Sequence, residues 1–125
     1  MSPNNQKALI LVVDDDPDIS MMLKMMLEYK GYKVITADRV DEIFQAITAH
    51  SFNLIIMDML LSGINGTDIC LQLKGKEDTS RIPVMMISAH PNAKELCLQA
   101  GANDFMAKPF DMDDILNTVG KLVTR

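Results

Sequence analysis

Leu54-Ile55-Ile56-Met57-Asp58 is an apolar run that ends abruptly on a carboxylate, and no other stretch limits the fold as tightly. The run is too short for a helix and does not alternate with polar residues, so it fits a strand buried on both faces. Strands of that kind belong to parallel sheets with helices packed on either side. In such open α/β sheets ligands bind outside the carboxyl ends of the strands, and that is where Asp58 is expected to stand.

The rest of the chain repeats the same unit. Ala8 to Val13 is continuously apolar, with β-branched residues at three places, and stops at Asp14-Asp15-Asp16. Pro17 suits the first turn of a helix with Asp16 as N-cap, and Ile19, Met22, Leu23, Met26 and Leu27 follow helical spacing to a stop at Gly31. A short strand, Val34 to Ala37, precedes a helix lined by Val40, Ile43, Phe44 and Ile47 that ends near His50. After Asp58, residues 59–66 read as a loop from their Gly, Ser and Asn content, and a short helix to about Lys74 follows. Val84 to Ile87 forms the fourth strand and ends on Ser88. The next helix has Pro91 near its start, Ala93, Leu96, Cys97 and Ala100 on one face, and Gly101 as C-cap. Phe105 to Ala107 is the fifth strand, ending at Lys108-Pro109. Asp111 caps a last helix whose inward face is Met112, Ile115, Leu116, Val119 and Leu122. Five strands alternating with five helices over short connections predict an α/β fold of the (βα)5 flavodoxin-like type, a five-stranded parallel sheet in order 2-1-3-4-5 with helices on both faces.

Bulk properties narrow the function. A chain of 125 residues is expected to form one domain with one site. Twelve basic against 17 acidic residues give a net charge of −5, which argues against direct binding to nucleic acid or an anionic membrane. Met1 to Lys7 is a polar leader without an apolar signal core, and no run approaches the about 18 residues of a membrane span, so a cytoplasmic location is expected. Cys70 and Cys97 fall in different helices and read as small core residues. The methionines at 21, 22, 25 and 26 read as core and edge packing.

Strand ends carry the chemistry. Asp14 and Asp15 end the first, Asp58 the third, Ser88 the fourth and Lys108 the fifth, and a parallel sheet puts all of these ends on one edge. In the order 2-1-3-4-5 the first and third strands are neighbours, so three carboxylates converge. Such a cluster must raise a pKa or share a cation, and oxygen ligands of this kind suit Mg²⁺. With a cation and the Lys108 ammonium neutralising phosphoryl oxygens, the Asp58 carboxylate can act as a nucleophile towards phosphorus. Ser88 adds a hydroxyl donor.

Leu11-Val12-Val13-Asp14-Asp15, Asp58 followed by Gly66, Ser88-Ala89 and Lys108-Pro109-Phe110 together resemble a response regulator receiver domain, CheY-like, over Ile10 to Leu122. The resemblance implies a single receiver domain over 1–125, with a core at about 8–123 and the polar leader at 1–7. It implies Asp58 as phosphoacceptor, with Asp15 a direct Mg²⁺ ligand, Asp14 mostly a ligand through water, and the carbonyl of Leu60 the remaining protein ligand. Ser88 is similar to the switch hydroxyl, Phe105 to the aromatic that changes rotamer with it, and Lys108 to the phosphate-binding lysine followed by a cis peptide bond at Pro109. It further implies a sensor histidine kinase or histidine phosphotransfer protein as donor. A downstream protein or output domain is expected to dock on the fourth helix, fifth strand and fifth helix, roughly Asn92 to Gly120. The implied activity is that of a phosphoacceptor promoting its own phosphorylation and dephosphorylation, not of a turnover enzyme. Ser62 stands where the family usually has proline. Leu60 and His90 occupy family positions that influence loss of the phosphoryl group, and an apolar Leu60 cannot orient an attacking water, so a long-lived phosphorylated form is expected.

Other readings are weaker. An aspartate-nucleophile phosphatase of the haloacid dehalogenase-like kind carries a second aspartate two residues on, where this chain has Leu60. A flavodoxin-like cofactor binder needs donors in its first loop, where Asp14-Asp15-Asp16 repels a phosphate. A pseudo-receiver, a phosphorylation-independent interaction module on the same fold, is opposed by the intact Asp, Ser and Lys set. His50 and His90 show no metal-ligand spacing.

Overall fold

Short apolar runs bury both faces by lying side by side. In the computed structural model, which describes residues 8–61 and 63–124, five strands do so: β1 Leu9–Val13, β2 Lys33–Ala37, β3 Leu54–Asp58, β4 Val84–Ser88 and β5 Asp104–Ala107. They form one parallel sheet in the expected order β2-β1-β3-β4-β5. The helices are α1 Pro17–Tyr29, α2 Val40–Ala49, α3 Gly66–Lys74, α4 Ala93–Gln99 and α5 Met112–Val123. The polar leader at 1–7 and the reading made for Ser62 lie outside the described residues. Among those described, no helix is long and apolar enough to cross a membrane.

Strand periodicity divides the interior in two. Leu11, Val13, Ile55, Met57, Val84 and Met86 point to one face and pack against α2, α3 and α4 through residues such as Ile43, Leu73 and Cys97. Ile10, Val12, Leu54, Ile56, Met85 and Ile87 point to the other, against Leu23, Leu27, Ile115 and Val119 of α1 and α5. Every one of these side chains is fully buried. The two-residue alternation of a strand therefore builds two separate cores from one sheet.

Local signals set the boundaries. Asp16 caps α1 by accepting from the Asp18 N–H at 3.0 Å, with Pro17 in the first turn. Asn65 does the same for α3, accepting from the Thr67 N–H at 3.0 Å. Gly101 follows the Ala100 C-cap of α4 with φ +100°, a backbone conformation in which a side chain is strained. The Lys108-Pro109 bond is cis.

Four expectations are corrected. Residues 59–66 are not simply a loop, because Leu60–Leu61 and Ile64–Asn65 pair as a two-stranded antiparallel hairpin. Met22 points outward with Met21 and Met25, and of the four α1 methionines only Met26 is buried. A helix lying on a sheet buries one stripe, which Leu23, Met26 and Leu27 fill, and that leaves the neighbouring positions to solvent. Leu96 and Met112 are exposed for the same reason: Cys97 and Ile115 hold the inward positions of α4 and α5. Cys70 and Cys97 are buried core residues, as expected.

The end of the sheet away from Asp58 is tied by side chains. Asn53 and Leu9 exchange hydrogen bonds, the Leu9 N–H donating to Asn53 Oδ1 and the Asn53 N–H to the Leu9 carbonyl, each at 2.8 Å. Asn103 and Val84 do likewise at 2.9 and 2.8 Å. Lys74, at the end of α3, donates from Nζ to Asn103 Oδ1 and the Ile82 carbonyl at 2.7 Å and to the Ser80 carbonyl at 3.3 Å. One ammonium thus gathers the approaches to β4 and β5. Replacing Lys74 with Met keeps much of the stem and removes those bonds, so urea unfolding of Lys74→Met is expected to show a loss of about 2 kcal/mol. An unchanged midpoint would mean that water replaces the ammonium without cost.

Candidate functional site

The strand register brings the site together. Val13 is paired with Met57, Asp58 with Ile87, and Ser88 with Ala107, so Asp14, Asp58, Ser88 and Lys108 fall at or one residue beyond matching ends. Backbone bonds continue past the strands: the Met59 N–H donates to the Ile87 carbonyl at 2.8 Å, and the Lys108 N–H to the Ser88 carbonyl at 2.9 Å. Lys108 then reaches back across the sheet, its Nζ donating to Asp58 Oδ2 at 3.1 Å and Asp14 Oδ2 at 3.3 Å.

Carboxylate oxygens of Asp14, Asp15 and Asp58 all lie within 4.8 Å of one another. Asp14 and Asp58 are buried, and Asp15 is half-exposed at the mouth. Asp14 is held on both sides, its Oδ1 accepting from the Asp16 N–H at 2.9 Å and its carbonyl from Ser20 Oγ at 3.1 Å. Asp58 Oδ1 accepts from the Leu60 N–H at 3.3 Å. Three carboxylates gathered around the Lys108 ammonium leave an excess of negative charge. Compact all-oxygen donors with that surplus fit a hard divalent cation.

Charge crowding registers on the buried groups. Burial pushes the Asp14 pKa above its ordinary value of 3.8; the Asp16 N–H opposes this, the Asp58 carboxylate adds to it, and the Lys108 ammonium opposes it. Burial acts to lower the Lys108 pKa, but its hydrogen bond to Asp58 and the charges of Asp14 and Asp58 outweigh that and hold it above the usual lysine value. The nearest thiol offers no rival nucleophile, since burial, Cys70 and Asp58 push Cys97 up to about 11.

The remaining expected residues lie around this centre. Ser88 is buried, and its Oγ accepts from the His90 N–H at 3.0 Å, which leaves its own proton to be donated elsewhere. Phe105 is half-buried against the core beneath α2, α3 and α4, opposite Met86 on β4. Leu60 is 56% exposed in the hairpin that follows Asp58. Gly66 has a packing role that sequence spacing alone did not explain: a Cβ there would run into the Asp58 carbonyl oxygen and crowd Met86 Cε at 3.1 Å. Sequence reasoning also missed Ser20, Met21 and Lys24, which line the cleft with Asp14 and Asp15. Their helical spacing from the Asp16 cap is the signal that could have found Ser20 and Lys24.

The native state holds the Asp14 proton more tightly than the unfolded chain does. Stability from this group is therefore complete below the ordinary value and lost as pH rises through the raised one. In chelator-treated protein Asp14→Asn is expected to raise the urea midpoint at about pH 7 and to lose that advantage at about pH 3.5. A variant less stable than wild type at neutral pH would show that the Asp14 charge stabilises the fold.

Known proteins share this fold. The family model for the response regulator receiver domain matches residues 10–120. The phosphate regulon transcriptional regulatory protein PhoB of Rhizobium meliloti (strain 1021) is 31% identical over 118 residues, which cover 93% of this chain and 52% of PhoB. The chain thus spans about half the length of the curated relatives it matches. A crystal structure of a candidate response regulator from Chloroflexus aurantiacus J-10-fl superposes with a TM-score of 0.91 at 33% identity, covering 96% of this chain and 100% of that one. The receiver domain of the sensor histidine kinase PA1611 from Pseudomonas aeruginosa PAO1, solved with a magnesium ion coordinated in its active site cleft, superposes at 0.86 with 25% identity, covering 96% and 100%.

Proposed function

This chain belongs to the response regulator receiver domain family, and from that membership we propose that Asp58 accepts a phosphoryl group from a phosphohistidine on a sensor histidine kinase or histidine phosphotransfer protein. The observation that carries this reading is the Lys108 ammonium, held within 3.3 Å of both Asp14 and Asp58 at the mouth of an acidic cluster. A carboxylate oxygen of Asp58 attacks phosphorus, the bond to the donor imidazole breaks, and the imidazole leaves. Lys108 pairs with a phosphoryl oxygen as that happens and limits the charge that the new group adds. Asp14, Asp15, Asp58 and the carbonyl of Leu60 are the groups that would hold Mg²⁺. When bound, the cation supplies the rest of the charge neutralisation for the phosphoryl oxygens. Asp14, fixed by Asp16 and Ser20, keeps its carboxylate in register with Asp58 throughout.

Signalling follows from a changed balance of contacts. A phosphoryl group on Asp58 attracts the free proton of Ser88, and movement of Ser88 opens room that Phe105 can enter, which shifts the population of the region from Asn92 to Gly120. That region exposes Leu96, Leu98 and Met112 as contacts for a downstream protein or output domain. The donor approaches elsewhere, over α1. Met21, Met22 and Met25 are exposed there, and Met21 shares the cleft with Asp14 and Asp15.

Intact-protein mass after incubation with acetyl phosphate tests the acceptor. One added phosphoryl group is expected in wild type with Mg²⁺ and none in Asp58→Asn or without the metal; Leu60→Asn is expected to lose the group faster. Equal labelling of Asp58→Asn would put the acceptor at another residue, and none in wild type even with a cognate kinase would point to the pseudo-receiver. For the docking face, Met25→Glu is expected to slow transfer from a phosphohistidine domain about tenfold more than it slows labelling by acetyl phosphate. Equal slowing of both would remove α1 from the donor's path.

A further inference from the structure

Eight of the ten described methionines fall into two groups, with half-buried Met106 and exposed Met112 outside them. Met26, Met57, Met59, Met85 and Met86 are at most 8% exposed and sit in the two cores. Met21 and Met25 are 64% and 65% exposed, with Met22 at 40% beside them, all within little more than one turn of α1. Positions 21 and 25 are one turn apart, so their side chains lie along one line of the helix surface. That line begins at the acidic cleft, whose wall includes Met21, and runs along the outside of the domain. Leucine at these positions would give at least as good a helix and the same apolar contact. What methionine adds is a thioether sulfur that an oxidant can reach.

We propose that Met21 and Met25 form an oxidative modification site, at which conversion to the sulfoxide by a hydroperoxide closes the α1 face to the protein phosphodonor. The inference rests on the reading of α1 as that donor's docking face. In the reaction a lone pair on sulfur attacks one oxygen of the peroxide, and the O–O bond breaks. That oxygen stays on sulfur and gives up its proton to the other, which departs as water, or as an alcohol from an organic hydroperoxide. Sulfur is oxidised by two electrons and the peroxide is reduced by two. The product is a polar, chiral group in place of a flexible apolar one, and a partner helix that buried the thioether now has to desolvate a sulfoxide oxygen.

The chemistry at Asp58 is left alone, because the methionines nearest to it in the fold, Met57, Met59 and Met86, are shielded from solvent by their own packing. Oxidation of α1 therefore separates two routes to one acceptor. A small donor reaches Asp58 without covering α1, whereas a protein donor has to sit on it. Methionine sulfoxide reductases, one for each epimer, reverse the change, which makes the site a switch that can be reset.

The test uses the full chain, a radiolabelled histidine phosphotransfer domain selected for its transfer to Asp58, and acetyl phosphate as the small donor. After graded hydrogen peroxide, peptide mass spectrometry is expected to find one added oxygen each on Met21 and Met25 before any appears on Met57, Met85 or Met86. Over the same range the rate from the phosphotransfer domain is expected to fall about tenfold relative to untreated protein, while labelling by acetyl phosphate stays within about twofold. Treatment with both reductases should restore the rate. In a variant carrying Met21→Leu, Met22→Leu and Met25→Leu, the ratio of treated to untreated rates should return to near one even though the exposed Met112 remains. A triple variant that still loses transfer after peroxide, or wild type that gains both sulfoxides and transfers undiminished, overturns the proposal. Met25→Glu, without peroxide, keeps the two failures apart. If it leaves the protein donor unaffected, the docking reading has failed; if it blocks that donor while the sulfoxides do not, only the oxidative site has.

Discussion

Among the described residues, Lys108 is the cation that both buried carboxylates share, and the rest of the site depends on it. Asp14 arrives from β1, Asp58 from β3 and Lys108 from beyond β5, so the two ion pairs join three strand ends that are far apart in sequence. Without the ammonium, two buried carboxylates would repel each other with little water to screen them. With it, the repulsion is offset, and an excess of negative charge is left that suits a divalent cation. A single lysine thereby offsets the repulsion in an acidic pocket whose oxygen donors suit a divalent cation.

The geometry comes from the sheet. Continuous apolar strands force helices onto both faces, and that leaves the strand ends as the place where polar side chains can meet without burying an unpaired group. Register does the fine positioning. A shift of one residue between β1 and β3 would carry Asp14 away from Asp58 and turn each buried strand residue towards the opposite core. Two fully apolar cores make such a slip costly, so the same side chains that stabilise the fold also keep the carboxylates in reach of Lys108.

Much of this was legible in the sequence because the signals were local or strictly periodic. Unbroken apolar runs marked four of the five strands, with Thr36 interrupting the second, Asp16 and Pro17 marked the start of α1, and a parallel sheet necessarily aligned Asp14, Asp58, Ser88 and Lys108 on one edge. Errors came where composition had to stand in for direction. Met22, Leu96 and Met112 are apolar and helically spaced, yet each is exposed, because neighbours at the true inward angle already fill the space against the sheet. The hairpin after Asp58 was hidden because strands of two residues have no period to read. Contacts between distant segments, such as Lys74 with Asn103 or Gly66 with the Asp58 carbonyl, have no local signature at all.

The knot at Lys74 has a mechanical meaning. It fastens the approach to β4 and the turn before β5 to the end of α3, and Asn103 fastens the same two strands to each other, all at the end of the sheet remote from the acidic cluster. Strands anchored at their roots cannot easily slide along their own axes. A displacement of Ser88 or Lys108 at the free tips would therefore be a sideways swing about a fixed base, larger where α4 and α5 depart than at the roots. On the function proposed above, a small charge event at the tips would then be spent on the surface of α4, β5 and α5 before it reached the rest of the domain.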